Sequence, residues 1–72
     1  MSEWQLLVDA EGIYPEDGIL IEYEDGGTRT LTLIRYSDRW VYLRDPEAGD
    51  TIKFDTETLE SENGYPIIVG KA

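Results

Sequence analysis

Acid–base chemistry in this chain would have to use carboxylates, tyrosines or lysines, because the sequence contains no histidine and no cysteine. These two residue types supply the commonest general base, the commonest zinc ligand and the thiolate nucleophile. A pair of carboxylates can act as acid and base only where a cleft desolvates one of them, and a 72-residue chain seldom forms such a cleft. No glycine-rich phosphate-binding loop precedes a helix pattern. We therefore predict that the protein is not an enzyme and uses no cofactor.

The segment between Asp45 and Asp50 is the one local cluster of candidate metal ligands, with Glu47 between them. Carboxylate oxygens suit Ca²⁺ or Mg²⁺, but the spacing of an EF-hand ligand loop is absent. We interpret this segment as a plain hairpin loop and predict no metal site.

Aromatic and cationic residues alternate in the middle of the chain. Residues 28–45 hold four of the six positive charges, all of them arginines, together with Tyr36, Trp40 and Tyr42. Exposed rings beside cations can stack on single-stranded bases while a residue such as Arg44 contacts phosphate. The same rings can anchor a protein partner, or pair with each other across strands without any ligand.

Acidic residues dominate the two ends of the sequence. Residues 1–27 carry eight acids and no base, residues 55–72 carry four acids and one base, and the whole chain has a formal net charge of −10. Successive acids on one face of a strand lie about 6.6 Å apart, so a DNA-like density of negative charge requires acids from several segments to converge. The predicted charged contacts are Glu22, Glu24, Asp55 and Glu57.

Alternation of apolar and polar residues predicts five strands, over residues 19–24, 28–36, 40–44, 51–55 and 67–69. Three-residue loops at 25–27 and 37–39 and a four-residue loop at 46–49 determine how the first four strands pair. These loops predict that Ile21 lies opposite Leu31, Leu33 opposite Leu43, Arg35 opposite Val41, and Val41 opposite Phe54. The apolar face so formed contains Ile19, Ile21, Leu31, Leu33, Val41, Leu43, Ile52 and Phe54. The opposite, outward face contains Thr30, Thr32, Ile34, Tyr36, Trp40, Tyr42, Arg44 and Lys53.

The predicted fold class is all-β and mostly antiparallel, in a single domain over residues 1–72. Closing the meander with the last strand would give a small five-stranded barrel whose order of elements is like that of SH3-type barrels, and the alternative is a curled sheet. A helical turn over residues 56–59, with Leu59 pointing inward, precedes the last strand. The N-terminal segment stays ambiguous: Trp4, Leu6 and Val8 fit a strand, whereas Trp4, Leu7 and Val8 fit a helical turn.

The function expected from these features is binding without catalysis. The leading hypothesis is a small acidic inhibitor, of the kind phages deploy, that occupies a basic surface of a partner protein, such as a nucleic-acid-binding surface, as a DNA mimic does. Its predicted aromatic contacts are Tyr36, Trp40 and Tyr42, with Arg44 beside them. One alternative is a structural or regulatory module from a salt-adapted, halophilic cell, acidic for solubility alone. A second alternative is single-stranded nucleic-acid binding through the central hairpin.

The longest runs of aliphatic residues have three members, far fewer than the ~20 apolar residues that a membrane span needs. The N-terminus lacks the basic start of a signal peptide. We therefore expect a soluble, cytoplasmic protein that has no membrane partner.

Overall fold

Five antiparallel strands and one helix make up the protein in a computed structural model that describes all 72 residues. The elements are α1 (Glu3–Glu11), β1 (Gly18–Glu22), β2 (Thr28–Tyr36), β3 (Trp40–Arg44), β4 (Thr51–Asp55) and β5 (Ile67–Lys71). The strands form one sheet in the order β4-β3-β2-β1-β5. The predicted all-β, mostly antiparallel class is therefore confirmed. The bounds of β2, β3 and β4 are those expected from the sequence.

The sheet curls so that its two edge strands approach each other. Ser61 pairs with Phe54 of β4, and the adjacent Glu60 pairs with Ile67 of β5. Two neighbouring residues thus bridge both edges, which covers part of the backbone that an open sheet would expose.

The apolar side of the sheet forms the core. Seven of the eight side chains predicted to point inward are fully buried, and Ile52 is partly buried against them. Three more side chains join this core: Trp4 from α1, Ile13 from the segment after it, and Ile68 from β5. The predicted inward face is confirmed, because alternation along each strand sends every second side chain to one side.

The pairing of β1 with β2 differs from the expected register by two residues. Ile19 lies opposite Leu31 and Ile21 lies opposite Arg29, whereas the sequence predicted Ile21 opposite Leu31. The hairpin loop is shifted by one position, since the Tyr23 N–H donates to the Gly27 carbonyl at 2.8 Å. A shift of two residues leaves each side chain on the same face, so the core assignment is unaffected.

The predicted outward position of Tyr36 is wrong, because β2 contains a β-bulge at Ile34. Beyond Leu33, which pairs with Leu43 as expected, the register shifts so that Arg35 lies opposite Tyr42 and Tyr36 lies opposite Val41. The extra residue of a bulge reverses the face on which the following side chains emerge. Tyr36 is therefore on the core side, and Arg35 is on the outward face, the reverse of both predictions.

The ambiguous N-terminal segment is a helix, α1. Its N-cap is Ser2, whose Oγ accepts a hydrogen bond from the Gln5 N–H at 3.0 Å, and it ends at Gly12, whose φ of 65° is left-handed. Both caps satisfy backbone groups that the ends of a helix leave free. The Trp4 N–H donates to the Thr56 carbonyl at 2.9 Å, and Lys71 Nζ donates to the Gly12 carbonyl at 3.1 Å. The helix thus covers one end of the curled sheet, between the ends of β4 and β5.

The helical turn expected before the last strand is present as one hydrogen-bonded turn. The Leu59 N–H donates to the Asp55 carbonyl at 2.8 Å, and the Leu59 side chain packs against the core. No helix in the structure is both long enough and apolar enough to cross a bilayer.

Candidate functional site

The outward face of β3 and β4 carries most of the predicted binding residues. Trp40 lies opposite Asp55, Tyr42 opposite Lys53, and Arg44 opposite Thr51. Trp40 and Tyr42 are half-buried and Arg44 is exposed. Paired residues in adjacent strands share a face, so β3 presents these three side chains together.

Cations of the chain itself lie over the two outward rings. The Arg35 guanidinium is 4.0 Å from the centroid of the Tyr42 ring. Lys53 Nζ is 4.2 Å from the centroid of Trp40, and the Arg39 guanidinium is 5.0 Å from it. These distances are those of cation–π contacts, which hold the rings against the sheet. A base that stacked on either ring would have to share it with these cations.

Ion pairs occupy four of the six cationic side chains. The pairs are Arg29 with Asp45 and Glu47, Arg39 with Asp55, Lys53 with Glu62, and Lys71 with Asp17. Arg35 and Arg44 have no carboxylate partner, although the chain carries 16 acids. Both unpaired arginines are on the outward face beside Tyr42.

Acids from three segments of the chain lie along the line where the sheet closes. Asp55 of β4 does not pair with β5. Its N–H instead donates to the Glu60 carbonyl at 2.8 Å. Glu60 pairs with Ile67, which in turn pairs with Glu22 of β1. A buried residue adjoins each of these four positions in sequence, so the side chains of Glu22, Asp55, Glu60 and Ile67 face outward. We call Glu22, Asp55 and Glu60 the acidic seam.

The remaining predicted acids lie in turns near the acidic seam. Glu57 is exposed in the turn that follows Asp55, and its N–H donates to Asp55 Oδ1 at 2.7 Å. Glu24 is exposed in the hairpin loop that follows Glu22. Neighbouring strands lie about 4.8 Å apart, compared with about 6.6 Å between alternate residues of one strand. The closure of the sheet therefore places Asp55 and Glu60 at the shorter spacing, whereas Ile67 separates Glu60 from Glu22, and Asp55 shares its charge with Arg39.

Tyr36 is separated from the other predicted aromatic contacts. Its ring lies edge-on against Trp4, with 5.4 Å between the ring centroids and 71° between the planes. Trp4 is 1 % exposed, and its indole Nε1 has no hydrogen-bond acceptor. Tyr36 keeps 36 % of its surface exposed, at the side of the helix rather than on the outward face.

The loop between β3 and β4 uses its carboxylates for structure. Asp45 Oδ1 accepts hydrogen bonds from the Glu47 and Ala48 N–H groups at 2.9 and 3.2 Å, and Asp45 Oδ2 is 2.9 Å from Arg29 Nη1. The two backbone donors, followed by the positive charge of Arg29, hold the pKa of Asp45 below its ordinary value of 3.8, although burial opposes this shift. No group of three potential metal-ligating side chains converges in the structure.

Three residues relevant to binding were not predicted from the sequence. Arg35 was assigned inward because the bulge at Ile34 leaves no mark in the alternation. Glu60 was not among the predicted charged contacts, since its place in the acidic seam depends on the turn that precedes it. Trp4 was left ambiguous, although Ser2 and Gly12 are a typical N-cap and C-terminal glycine nine helical residues apart.

Comparison of the chain with protein-family models, with curated proteins and with solved structures finds no match.

Proposed function

We propose that this chain is a non-enzymatic binding module that places the acidic seam against a basic surface of a partner protein. The observation that carries the proposal is that Glu22, Asp55 and Glu60, from three separate segments, lie on one outward strip, where Asp55 also pairs with Arg39. A protein surface that binds polyanions is the kind of partner such a strip fits, because complementary charge guides approach and orientation. The proposal includes the phage-type inhibitor that occupies a nucleic-acid-binding surface.

Trp40 is the proposed anchor next to the acidic seam. It lies opposite Asp55 on the outward face, so one partner surface can contact the ring and the acids together. Aromatic residues next to charged groups commonly supply a large share of the binding energy at protein interfaces. Tyr42 and Arg44 extend this contact along β3, whereas Tyr36 lies too far round the molecule to belong to it.

The test uses the immobilised chain and the heparin-retained protein fraction of its native cell or host. We expect a protein of this fraction to be captured and to be released by duplex DNA. Replacing Glu22→Gln and Glu60→Gln together should weaken capture about tenfold, because two charge contacts are lost.

The matched control is Glu3→Gln with Glu16→Gln, which removes two exposed acids from the helix and the following loop. It should capture the same protein as the unmodified chain. Equal capture by both double variants, or release that DNA does not affect, would refute the role of the acidic seam. Loss of capture in Trp40→Ala with retained fold would support the anchor.

Single-stranded nucleic-acid binding is a second candidate, favoured by the two unpaired arginines beside Tyr42. Arg35 and Arg44 could contact phosphates, and the polar outward face of β2 and β3 is free of any covering element. Fluorescence anisotropy of a labelled single-stranded oligonucleotide at low salt tests it. An unchanged anisotropy at the highest protein concentration excludes this candidate, whereas binding that Arg35→Gln and Arg44→Gln abolish supports it.

A further inference from the structure

Two adjoining clefts lie beside the helix, and neither is lined by a residue of the acidic seam. The first, of about 330 Å³, is bounded by Trp4 and Asp38, and the second, of about 400 Å³, by Asp9 and Tyr14. Tyr36 and Gln5 line both. The Tyr36 ring therefore forms a ridge between two hollows that follow one another along the helix. We call the two clefts together the helix groove.

The helix groove combines apolar walls with negative charge. Its rings include Tyr14, which is 70 % exposed, and Tyr36, and the neighbouring Pro15 and Val8 are also apolar. Asp38 lines the first cleft together with Met1, which bears the α-amino group, and Asp9 lines the second; neither cleft is lined by a lysine or an arginine. A ligand that fills both hollows would therefore meet aromatic surface in the middle and a carboxylate in each hollow.

We propose that the helix groove binds an extended, proline-containing segment of a partner protein that carries arginine or lysine. Both clefts are partly open to solvent, whereas pockets for small molecules enclose most of their ligand. An extended chain can cross the Tyr36 ridge and place side chains in both hollows. Proline-rich segments already adopt such a conformation and dock on grooves lined with aromatic residues. The positive charge of the segment complements Asp9 and Asp38.

This site is separate from the proposed function. The acidic seam acts through Glu22, Asp55 and Glu60, none of which lines either cleft. The two sites could serve one partner or two, and variants in one leave the other chemically unchanged.

The experiment titrates the ¹⁵N-labelled full chain with a synthetic peptide of alternating arginine, proline and leucine at near-physiological salt. We expect saturable shifts in the amide signals of Gln5, Val8 and Tyr36. The same peptide with glutamate in place of arginine should cause none of these shifts, because it would be repelled by Asp9 and Asp38. A peptide with glycine in place of proline should bind more weakly, since it is less extended before binding.

Asp9→Asn with Asp38→Asn is the variant that tests the groove. Both side chains are exposed, Asp9 accepts only the Gln5 amide, and the Asp38 side chain makes no hydrogen bond, so the fold should be retained. We expect this variant to weaken the affinity for the peptide about fivefold. The variant Glu22→Gln with Glu60→Gln removes the same amount of charge from the acidic seam and should leave the affinity unchanged.

Three results would overturn the proposal. In the first, the peptide causes no shift at the groove; in the second, shifts follow the acidic seam and both double variants bind equally weakly. In the third, the groove signals move when the chain is concentrated without peptide, which would identify a second copy as the occupant. Failure of the acidic seam is detected separately, because it affects capture of heparin-retained proteins and not the peptide titration.

Discussion

The two ends of the curled sheet are held together by different interactions. At the helix end, α1 covers the sheet and inserts the indole of Trp4, which is 1 % exposed, into the core. At the opposite end, which we call the loop end, Asp45 receives two backbone hydrogen bonds and an ion pair from Arg29. One end therefore depends on apolar burial and the other on a charged hydrogen-bonding group.

Because of this difference, the stability of the two ends should respond to different changes in pH, salt and side-chain size. Apolar burial is insensitive to pH and to moderate salt, whereas a carboxylate that must be ionised is lost when it is protonated. Stability that changes with pH should therefore come from the loop end, and stability lost by shortening a side chain should come mainly from the helix end.

The largest expected effect is the loss of Trp4. Trp4→Ala should lower the free energy of unfolding by about 3–5 kcal/mol, because it removes a large buried ring and leaves a cavity. That is a large share of the ~5–15 kcal/mol typical of a folded domain. Urea denaturation followed by circular dichroism measures it. Trp4→Phe, which keeps most of the apolar volume, should lose less, and a loss below about 1 kcal/mol in Trp4→Ala would contradict the assigned role of the helix.

The next effect distinguishes the two tyrosines on either side of the sheet. Tyr36→Ala should cost about 1–2 kcal/mol, since it removes the edge contact with Trp4 and some apolar burial. Tyr42→Ala removes an outward ring under Arg35 and should cost about 0.5–1 kcal/mol. Parallel urea titrations compare the two variants. A greater loss in Tyr42→Ala would mean that the outward face stabilises the fold more than the helix end does.

The position of Tyr36 also marks how far the sequence could predict the fold. Alternation correctly assigned Leu33 and Val41 to the core, because each lies in a stretch where every second residue is apolar. It could not reveal the bulge at Ile34, since an extra residue changes the face of its successors without changing their types. The two-residue error in the pairing of β1 with β2 had no such consequence, because it preserves the face of every side chain.

The candidate site was predictable only where it depends on single strands. Trp40, Tyr42 and Arg44 share one face because they alternate along β3, which the sequence shows. The acidic seam depends on Glu60 bridging β4 and β5, which the turn after Asp55 sets, and on the pairing of β5 with β1, which is distant in sequence. Side-chain periodicity carries information on faces and none on such non-local pairing.

The loop end should show its dependence on charge through pH. The pKa of Asp45 is lowered in the folded protein, so its ionised form stabilises the fold above its ordinary pKa of 3.8, and that contribution is lost as the pH falls below about 4. Asp45→Asn should therefore be less stable than the unmodified chain at pH 7, and the difference should shrink in acid. Thermal melts at pH 7 and pH 3 measure both.

The control for this prediction is Glu47→Gln. Glu47 is exposed, and its ion pair with Arg29 is long, at 3.5 Å. Its replacement should therefore change stability little at either pH. If the difference between Asp45→Asn and the unmodified chain stayed the same from pH 7 to pH 3, the charge of Asp45 would not contribute to holding the loop end.

Trp40 lies near the helix end like Trp4, but on the outward face, and its loss should affect stability much less. Trp40→Ala removes a half-buried ring and its contacts with Lys53 and Arg39, with an expected cost of about 1 kcal/mol or less. Urea denaturation measures this against Trp4→Ala. A cost comparable to that of Trp4→Ala would identify Trp40 as a structural residue and would weaken its proposed role as an anchor.

The smallest expected effect is that of potassium chloride on the melting temperature. Salt screens the self-repulsion of a chain with net charge −10, and the Debye length is already about 10 Å at 0.1 M. We expect stability to rise with salt and to level off above about 0.3 M, because the repulsion is then largely screened. Burial at the helix end gains nothing from screening, and the ion pair at the loop end is weakened by it. Glu3→Gln with Glu16→Gln, which reduces the repulsion, should show a smaller rise. A continued gain up to molar salt in both proteins would instead favour the salt-adapted module, in which the acidity serves solubility and the acidic seam has no partner.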